Sequence, residues 1–85
     1  MRIGGHVDTS NLELYVKPGC PYCTKVLRFM NERKIVIPLH DITDGSGNRD
    51  DLLRIGGKIQ VPCLIINGAA LYESSDIVAY LAKLS

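Results

Sequence analysis

The pattern of apolar and polar positions changes its period several times along the chain, and each change predicts a new element. Residues 12–16 alternate apolar and polar side chains as a half-buried strand does. A helix is predicted over 24–33, because apolar residues recur there at helical spacing and so define one buried face. Those positions are Cys23, Val26, Leu27 and Met30. Residues 35–39 predict a second strand, whose Pro38 lacks an N–H and so favours an edge position or the strand's end.

The middle of the chain predicts a loop and a short helix. Residues 44–48 read Asp-Gly-Ser-Gly-Asn, a run of turn-forming residues with no apolar side chain. A helix is predicted over 49–55, with Asn48 as its N-cap and Gly56-Gly57 as its end.

The last part of the chain predicts a hairpin and a final helix. Strands are predicted over 61–66 and 69–72, and the Asn67-Gly68 pair between them favours a type I′ turn, so the two strands are expected to be antiparallel. Ser74, Ser75 and Asp76 are predicted to cap a helix with a buried apolar face. We therefore expect one domain over 12–85, preceded by a flexible polar leader over 1–11.

Composition and charge narrow the class of protein. The chain has 85 residues, of which 46% are hydrophobic and 22% charged, as in ordinary globular domains. Its net charge of +1 gives no electrostatic reason to expect nucleic acid or an anionic membrane as partner. Its three cysteines, an odd number, do not suit a secreted disulfide framework, and we expect no signal peptide or membrane span. These observations predict a reducing compartment, the cytoplasm.

Two of the cysteines, Cys20 and Cys23, lie three positions apart between the first strand and the first helix. Cys20 is therefore expected near a helix N-terminus, where free backbone N–H groups favour a thiolate over a thiol. Cys23 lies about one helical turn further on, near enough to close a disulfide. The pair predicts a redox-active dithiol, with Cys20 as nucleophile and Cys23 as resolving thiol.

A structural metal site is the competing interpretation of this pair. It would need further ligands, and only Cys63, His6 and His40 remain, none at zinc-finger spacing. We therefore expect no metal. Cys63 follows Pro62 inside an apolar strand and is expected to be a small buried hydrophobe. We assign no role to either histidine.

The order of elements and four short motifs resemble glutaredoxins of the dithiol type. The motifs are Cys20-Pro21-Tyr22-Cys23, Lys17 three positions before it, Val61-Pro62 before the third strand, and Ser75-Asp76 at the last helix. The resemblance covers 12–84. It implies a thioredoxin-like α/β fold, a four-stranded mixed sheet flanked by three helices, and glutathione-dependent thiol–disulfide exchange.

The resemblance also implies a groove beside Cys20 that binds glutathione as co-substrate. Its residues are Lys17, Tyr22, Gln60, Val61, Pro62, Ser75 and Asp76. Lys17 is expected to favour the Cys20 thiolate and to bind the glycine carboxylate, with Gln60 as a second donor. The ring of Tyr22 is expected to line the groove.

Two further contacts are implied by the same resemblance. The Val61–Pro62 peptide bond is expected to be cis, leaving the Val61 backbone to pair with the cysteinyl part of glutathione like an added strand. The open N–H groups at the start of the last helix favour an anion. The γ-glutamyl carboxylate is therefore expected at Ser75, with Asp76 pairing with the glutamyl amine.

The chain departs from the glutaredoxin pattern at two places. Gln60 precedes Val61-Pro62 where the family often has threonine, and Tyr72-Glu73 stands where it often has Gly-Gly. The run from Glu73 to Ile77 looks equally like the glutathione-binding corner of glutathione transferase N-terminal domains. Both families hold the γ-glutamyl end at this helix start, so the ligand stays the same while the residue contacts within 73–76 stay open.

Three other functions stay open at this point. The chain could be a thioredoxin-like reductase fed by a flavoenzyme, or a module holding an iron–sulfur cluster between two subunits through Cys20 and glutathione. A full glutathione transferase is expected least, because we expect no helical partner domain. The favoured interpretation is a monomeric reductase of glutathionylated or disulfide-containing client proteins.

Overall fold

The computed structural model of the protein describes residues 9–84. Most of the predicted leader, including His6, lies outside the described residues. At the start of the described chain, the Thr9 hydroxyl donates to the Val36 carbonyl at 2.6 Å. The Leu12 N–H donates to the Thr9 carbonyl at 3.0 Å, and the Asn67 N–H donates to the Asn11 carbonyl at 3.1 Å. Residues 9–11 are thus hydrogen-bonded to the first strand and to the hairpin.

Four strands form one mixed sheet, and three helices pack against it. The strands are β1 (Leu12–Val16), β2 (Leu39–Asp41), β3 (Cys63–Ile66) and β4 (Ala69–Leu71). The helices are α1 (Pro21–Arg33), α2 (Asn48–Gly56) and α3 (Ser74–Leu84). The sheet order is β2-β1-β3-β4, with β1 parallel to β2 and antiparallel to β3, and β3 antiparallel to β4. The predicted element order, sheet and helices are confirmed.

The alternation of side chains along the central strands divides the core into two clusters. Leu12, Leu14 and Val16 of β1 pack with Leu64 of β3 under α1 and α3. The residues between them face the other way, where α2 supplies Leu52. That second cluster consists of Tyr15, Leu52, Cys63 and Ile65. Because successive strand residues point to opposite faces, one sheet serves both layers of helices.

The second and third strands begin later than predicted. We expected 35–39 and 61–66, whereas β2 begins at Leu39 and β3 at Cys63. In each case the residue just before the strand is a proline, Pro38 or Pro62, which has no N–H to donate to the ladder. Ile35 and Ile37 are buried nonetheless. Their apolar side chains thus belong to the core although they lie outside a strand. The fourth strand ends one residue earlier than predicted, at Leu71.

The helix starts also differ from the prediction. The N-cap of α2 is Gly47, and Asn48 is the first helical residue. The Asn48 side chain instead donates to the Asp41 carbonyl at 3.0 Å, which ties α2 to the end of β2. In α3 the Ile77 N–H donates to the Glu73 carbonyl, so Ser75 and Asp76 lie inside the first turn rather than before it.

The predicted ends of the middle helix and of the hairpin are confirmed. Gly57 closes α2 with a φ of 85°, its N–H donating to the Leu53 carbonyl. Asn67 and Gly68 have φ values of 51° and 85°, the positive pair that a type I′ turn requires. The turn pairs Ile66 with Ala69 and so sets the register of β3 and β4. None of the three helices is long and apolar enough to cross a membrane, within the part of the chain that the structure describes.

Candidate active site

Cys20 is the N-cap residue of α1, in extended backbone conformation with φ −89° and ψ 116°. β1 ends at Val16, the short turn through Gly19 follows, and Pro21 occupies the first helical turn, where its missing N–H leaves no bond unmade. The Cys20 sulfur accepts the Cys23 N–H at 3.3 Å. A cysteine side chain here takes the place that a capping serine or aspartate usually occupies, so the helix solvates a negative charge on sulfur.

The surroundings of the two thiols separate their pKa values. Burial by itself raises the pKa of Cys20, but hydrogen bonds from Cys23 and Tyr22 and the nearby charge of Lys17 outweigh burial and lower it below the ordinary thiol value. Burial raises the pKa of Cys23 to about 11, and its interaction with the Cys20 sulfur acts in the same direction. Of the two thiols, Cys20 therefore ionises at the lower pH, while Cys23 favours the protonated form. Both are free thiols in this structure.

A small cavity opens beside the nucleophile. Its volume is about 200 Å³. Its lining residues are Tyr22, Gln60, Val61, Pro62, Tyr72, Glu73 and Ser74. The Val61–Pro62 peptide bond is cis, as predicted. The Cys20 thiol donates to the Val61 carbonyl at 3.9 Å, so the nucleophile faces the backbone that forms one wall of the cavity.

The structure brings four of the predicted groove residues to this cavity: Tyr22, Gln60, Val61 and Pro62. The ring of Tyr22 is 64% exposed, which leaves its face open to a ligand. Lys17 lies on the exposed turn before Cys20 and acts on the sulfur through its charge. Ser75 and Asp76 are exposed in the first turn of α3 and do not line the cavity.

Sequence reasoning did not single out three of the lining residues. The sequence predicts Glu73 and Ser74 as open alternatives in the transferase-like corner, with Ser74 also in the helix cap, and the structure places both on the cavity wall. It predicts Tyr72 as the end of the fourth strand and as a departure from the family pattern. The position of Tyr72 directly before that corner could have indicated a place in the site, because an aromatic side chain at a strand end can reach the neighbouring segment.

A cation lies at the start of α3. The Lys25 ammonium donates to the Ser75 hydroxyl at 3.4 Å, joining α1 to α3. Lys25 comes two residues after Cys23, so the same helix that carries the dithiol also brings a positive charge to this helix start. Lys25 and the α3 N-terminus favour an anion here, while Glu73 and Asp76 add negative charge to the same helix start.

The third cysteine, Cys63, does not line the cavity, although it directly follows the lining residue Pro62. Cys63 is fully buried in the cluster with Tyr15 and Leu52, and burial raises its pKa to about 11. It behaves as the small hydrophobe that we predicted. Among residues 9–84, no three His, Cys, Asp or Glu side chains come together as metal ligands.

Comparison with known proteins agrees with this geometry. The chain is 35% identical over 86 residues to glutaredoxin-C4 of Arabidopsis thaliana, covering 92% of this chain and 64% of that protein. It is 23% identical over 74 residues to glutaredoxin 3 of Escherichia coli K12, covering 87% of this chain and 89% of that protein.

Solved structures show the same fold. The crystal structure of glutaredoxin 2 from Salmonella typhimurium in complex with glutathione matches with a TM-score of 0.72 and 28% identity, over 86% of this chain and 33% of that one. A thioredoxin-like protein of 23% identity matches with a TM-score of 0.71, over 86% of this chain and 96% of that one, and shows the fold alone.

Fold and site together define a glutathione-related thiol oxidoreductase with a thioredoxin fold. The predicted resemblance to glutaredoxins is confirmed. Residues 14–85 match the family model described as glutathione S-transferase, N-terminal domain. Because the match spans nearly the whole chain, the protein belongs to this family. The Glu73-Ser74 wall of the cavity fits the transferase-like corner noted in the sequence.

Proposed function

We propose that the protein reduces mixed disulfides between proteins and glutathione, as well as protein disulfides, with glutathione as the electron donor. The observation that carries this proposal is the position of Cys20. Its sulfur accepts the Cys23 N–H at the start of α1 and faces the Val61 carbonyl on the cavity wall. A nucleophilic sulfur is thus placed beside a pocket whose backbone and side chains suit a short peptide.

The proposed reaction has two exchange steps. The Cys20 thiolate attacks the glutathione sulfur of the mixed disulfide, the client–glutathione bond breaks, and the client sulfur leaves and takes up a proton. A second glutathione, as thiolate, then attacks the glutathione sulfur on Cys20. Oxidised glutathione leaves, and the Cys20 thiolate is regenerated. Each cycle consumes one glutathione and converts one mixed disulfide into a client thiol and oxidised glutathione.

Protein disulfides follow a second route that needs both thiols. After Cys20 has formed a mixed disulfide with the client, Cys23 loses its proton, attacks the Cys20 sulfur and releases the client. The raised pKa of Cys23 keeps it protonated until that step. Two glutathiones then reopen the Cys20–Cys23 bond.

We assign the parts of glutathione to the residues around the cavity. The glycine carboxylate binds Lys17 and Gln60, the cysteinyl backbone pairs with Val61 beside Pro62, and Tyr22 covers the ligand. The γ-glutamyl group lies at the start of α3, between the wall residue Ser74 and the first-turn residues Ser75 and Asp76. Cavity lining supports the assignments to Gln60, Val61 and Ser74, and the exposed helix start supports the glutamyl end.

The proposed partners follow from the reaction. They are glutathione and client proteins that carry glutathionylated or disulfide-bonded cysteines. We propose that the protein acts as a monomer and binds no nucleic acid, membrane or resident metal. Because the reaction consumes reduced glutathione, we place the protein in the cytoplasm.

The test is an NADPH-coupled assay with glutathione, glutathione reductase and a small glutathione mixed disulfide. Cys20→Ser is expected to abolish turnover, because it removes the attacking sulfur. Cys23→Ser is expected to retain reduction of the mixed disulfide and to lose most reduction of a protein disulfide. Cys63→Ala removes the remaining thiol, which is buried and takes no part in the proposed exchange, so turnover by both routes should persist.

Three results would contradict the proposal. A Cys23→Ser variant that is inactive toward the mixed disulfide would show that the first route is wrong. Reduction by a flavoenzyme thioredoxin reductase but not by glutathione would identify a thioredoxin-like reductase instead. An iron–sulfur chromophore in protein purified without oxygen would favour a cluster-binding module.

A further inference from the structure

Tyr72 connects the two sides of the cavity. It follows the last residue of β4, and its ring lines the cavity next to Glu73. Its hydroxyl donates to the Lys58 carbonyl at 3.0 Å. Lys58 lies two residues before Gln60, in the segment that leads to Val61 and Pro62 on the opposite wall. One hydrogen bond therefore spans from the end of β4 to the segment that faces Cys20.

Two further contacts hold the Tyr72 ring in this place. The Lys58 ammonium lies over the ring, 4.5 Å from its centroid, so the same lysine meets Tyr72 through both its backbone and its charge. The Tyr72 hydroxyl also lies against Gly56, at the end of α2. A Cβ atom at Gly56 would overlap the Tyr72 hydroxyl and lie 2.9 Å from the ring carbon that bears it. The chain thus leaves room for this phenol at a position where a larger residue would displace it.

We propose that Tyr72 is a positioning residue for glutathione, acting through the segment from Lys58 to Pro62. The proposal rests on the proposed function and deepens it. By holding Lys58, the Tyr72 hydroxyl sets the distance between the wall formed by Gln60 and Val61 and the wall formed by Glu73. The cavity is pre-formed for the ligand, so less free energy is spent on ordering that segment when glutathione binds.

This role differs measurably from simple packing. A ring that only fills space would tolerate loss of its hydroxyl, since the remaining phenyl group occupies the same volume. A positioning hydroxyl affects ligand binding without touching the reacting sulfur. The Michaelis constant for glutathione should then rise, while the turnover number and the pH profile of Cys20 stay the same.

The first test is Tyr72→Phe in the glutathione-coupled assay. We expect the Michaelis constant for glutathione to rise roughly fivefold, the size of one lost hydrogen bond, with an unchanged turnover number. Tyr80→Phe is the matched control, because Tyr80 lies in α3 against the core under α1 and does not line the cavity. Thermal unfolding of both variants shows whether the fold is intact.

The second test moves the phenol without changing any lining residue. Gly56→Ala is expected to raise the same Michaelis constant by at least as much as Tyr72→Phe, because the added methyl group displaces the Tyr72 hydroxyl. In the Tyr72→Phe background the same alanine should add less, because the overlapping oxygen is gone. This non-additivity ties the two positions to one mechanism.

The outcomes separate the two proposals. If the wild-type protein has no glutathione-dependent turnover, the proposed function fails and the role of Tyr72 fails with it. If the wild type is active and Tyr72→Phe has the same Michaelis constant for glutathione as Tyr80→Phe, only the proposed role of Tyr72 is wrong. A fall in turnover number with no change in the Michaelis constant would also overturn it, because that result would place Tyr72 in the chemical step.

Discussion

At the scale of single residues, the two active-site cysteines differ in which atoms surround their sulfurs. Cys20 caps α1 and receives an N–H, so its thiolate is stabilised despite burial. Cys23 lies one turn inside the helix, where burial dominates and the neutral thiol is favoured. The same residue type therefore favours the thiolate at one position and the protonated thiol three positions later.

Alkylation of the reduced protein by iodoacetamide should show this difference. Cys20 is expected to react with a rate that rises with pH about a midpoint below the pKa of an ordinary thiol, because its pKa is lowered. Cys23 and Cys63, buried and with pKa values raised to about 11, should stay unmodified at neutral pH. Mass spectrometry of peptides after timed quenching measures the alkylation rates of all three cysteines. A Cys20 midpoint at or above the pKa of an ordinary thiol would contradict the assignment.

The same measurement on Lys17→Ala tests the contribution of charge. Removing the ammonium is expected to move the Cys20 profile to higher pH, since Lys17 lowers this pKa. The shift should be small, because Lys17 is exposed and its field is screened by solvent. Lys83→Ala, in the last turn of α3, removes the same charge elsewhere and should leave the profile unchanged.

At the scale of elements, β1 and β3 are the two central strands of the sheet and contribute side chains to both clusters of the core. Their side chains alternate between the cluster under α1 and α3 and the cluster that contains Leu52 of α2. β2 is an edge strand of three residues, and Leu39 within it is 52% exposed. Equal apolar residues in these strands should therefore differ widely in their contribution to stability.

Leu64→Ala and Leu39→Ala form a matched pair for this expectation. Leu64 is fully buried in β3, so its truncation is expected to lower the free energy of unfolding by about 2–5 kcal/mol. Leu39→Ala should cost less than about 1 kcal/mol, since much of its side chain already meets solvent. Urea unfolding followed by circular dichroism compares them. Equal losses would show that the edge strand carries as much of the core as the centre.

At the scale of the whole molecule, the site gathers side chains from four separate segments. They are the turn before α1, the residues before β3, the residues after β4, and the first turn of α3. The sheet order β2-β1-β3-β4 places β1 beside β3, which is why Val61 meets Cys20 although 41 positions separate them. The charged ends of glutathione would then meet residues on different segments.

This arrangement predicts independent effects from Lys17 and Asp76. Lys17→Ala and Asp76→Ala should each raise the Michaelis constant for glutathione by roughly fivefold to tenfold, since each loses one exposed charged hydrogen bond of about 1 kcal/mol. The double variant should show about the product, because the two contacts lie at opposite ends of the ligand. Steady-state kinetics at varied glutathione concentration measure the constants.

The control for this pair is Lys83→Ala combined with Asp50→Ala, which changes the same charges in α3 and α2 outside the cavity lining. Its kinetics should equal those of the wild type. If the Lys17 and Asp76 double variant also behaves as the wild type while remaining folded, glutathione binds elsewhere on the protein.

The sequence by itself determined the order of the elements and the position of the cysteine pair at the start of α1. Apolar spacing of three and four positions identifies the buried faces of α1 and α3, Asn67-Gly68 identifies the hairpin, and the strand-to-helix position of Cys20 identifies the stabilised thiolate. These features depend on residues within a few positions of one another, so they are visible in the chain as written. The starts of β2 and β3 also have a local signal, because Pro38 and Pro62 directly precede them. The apolar residues before these prolines led the prediction to begin both strands too early.

Only the tertiary structure decided which distant residues meet. Val61 faces Cys20, Lys25 reaches Ser75, and Tyr72 reaches Lys58, each through a contact between separate segments. Such contacts follow from sheet register and from the packing of side chains against each other, and no short-range pattern specifies them. For the same reason the glutamyl corner could be located in the sequence but not resolved, and the fold placed Glu73 and Ser74 on its wall.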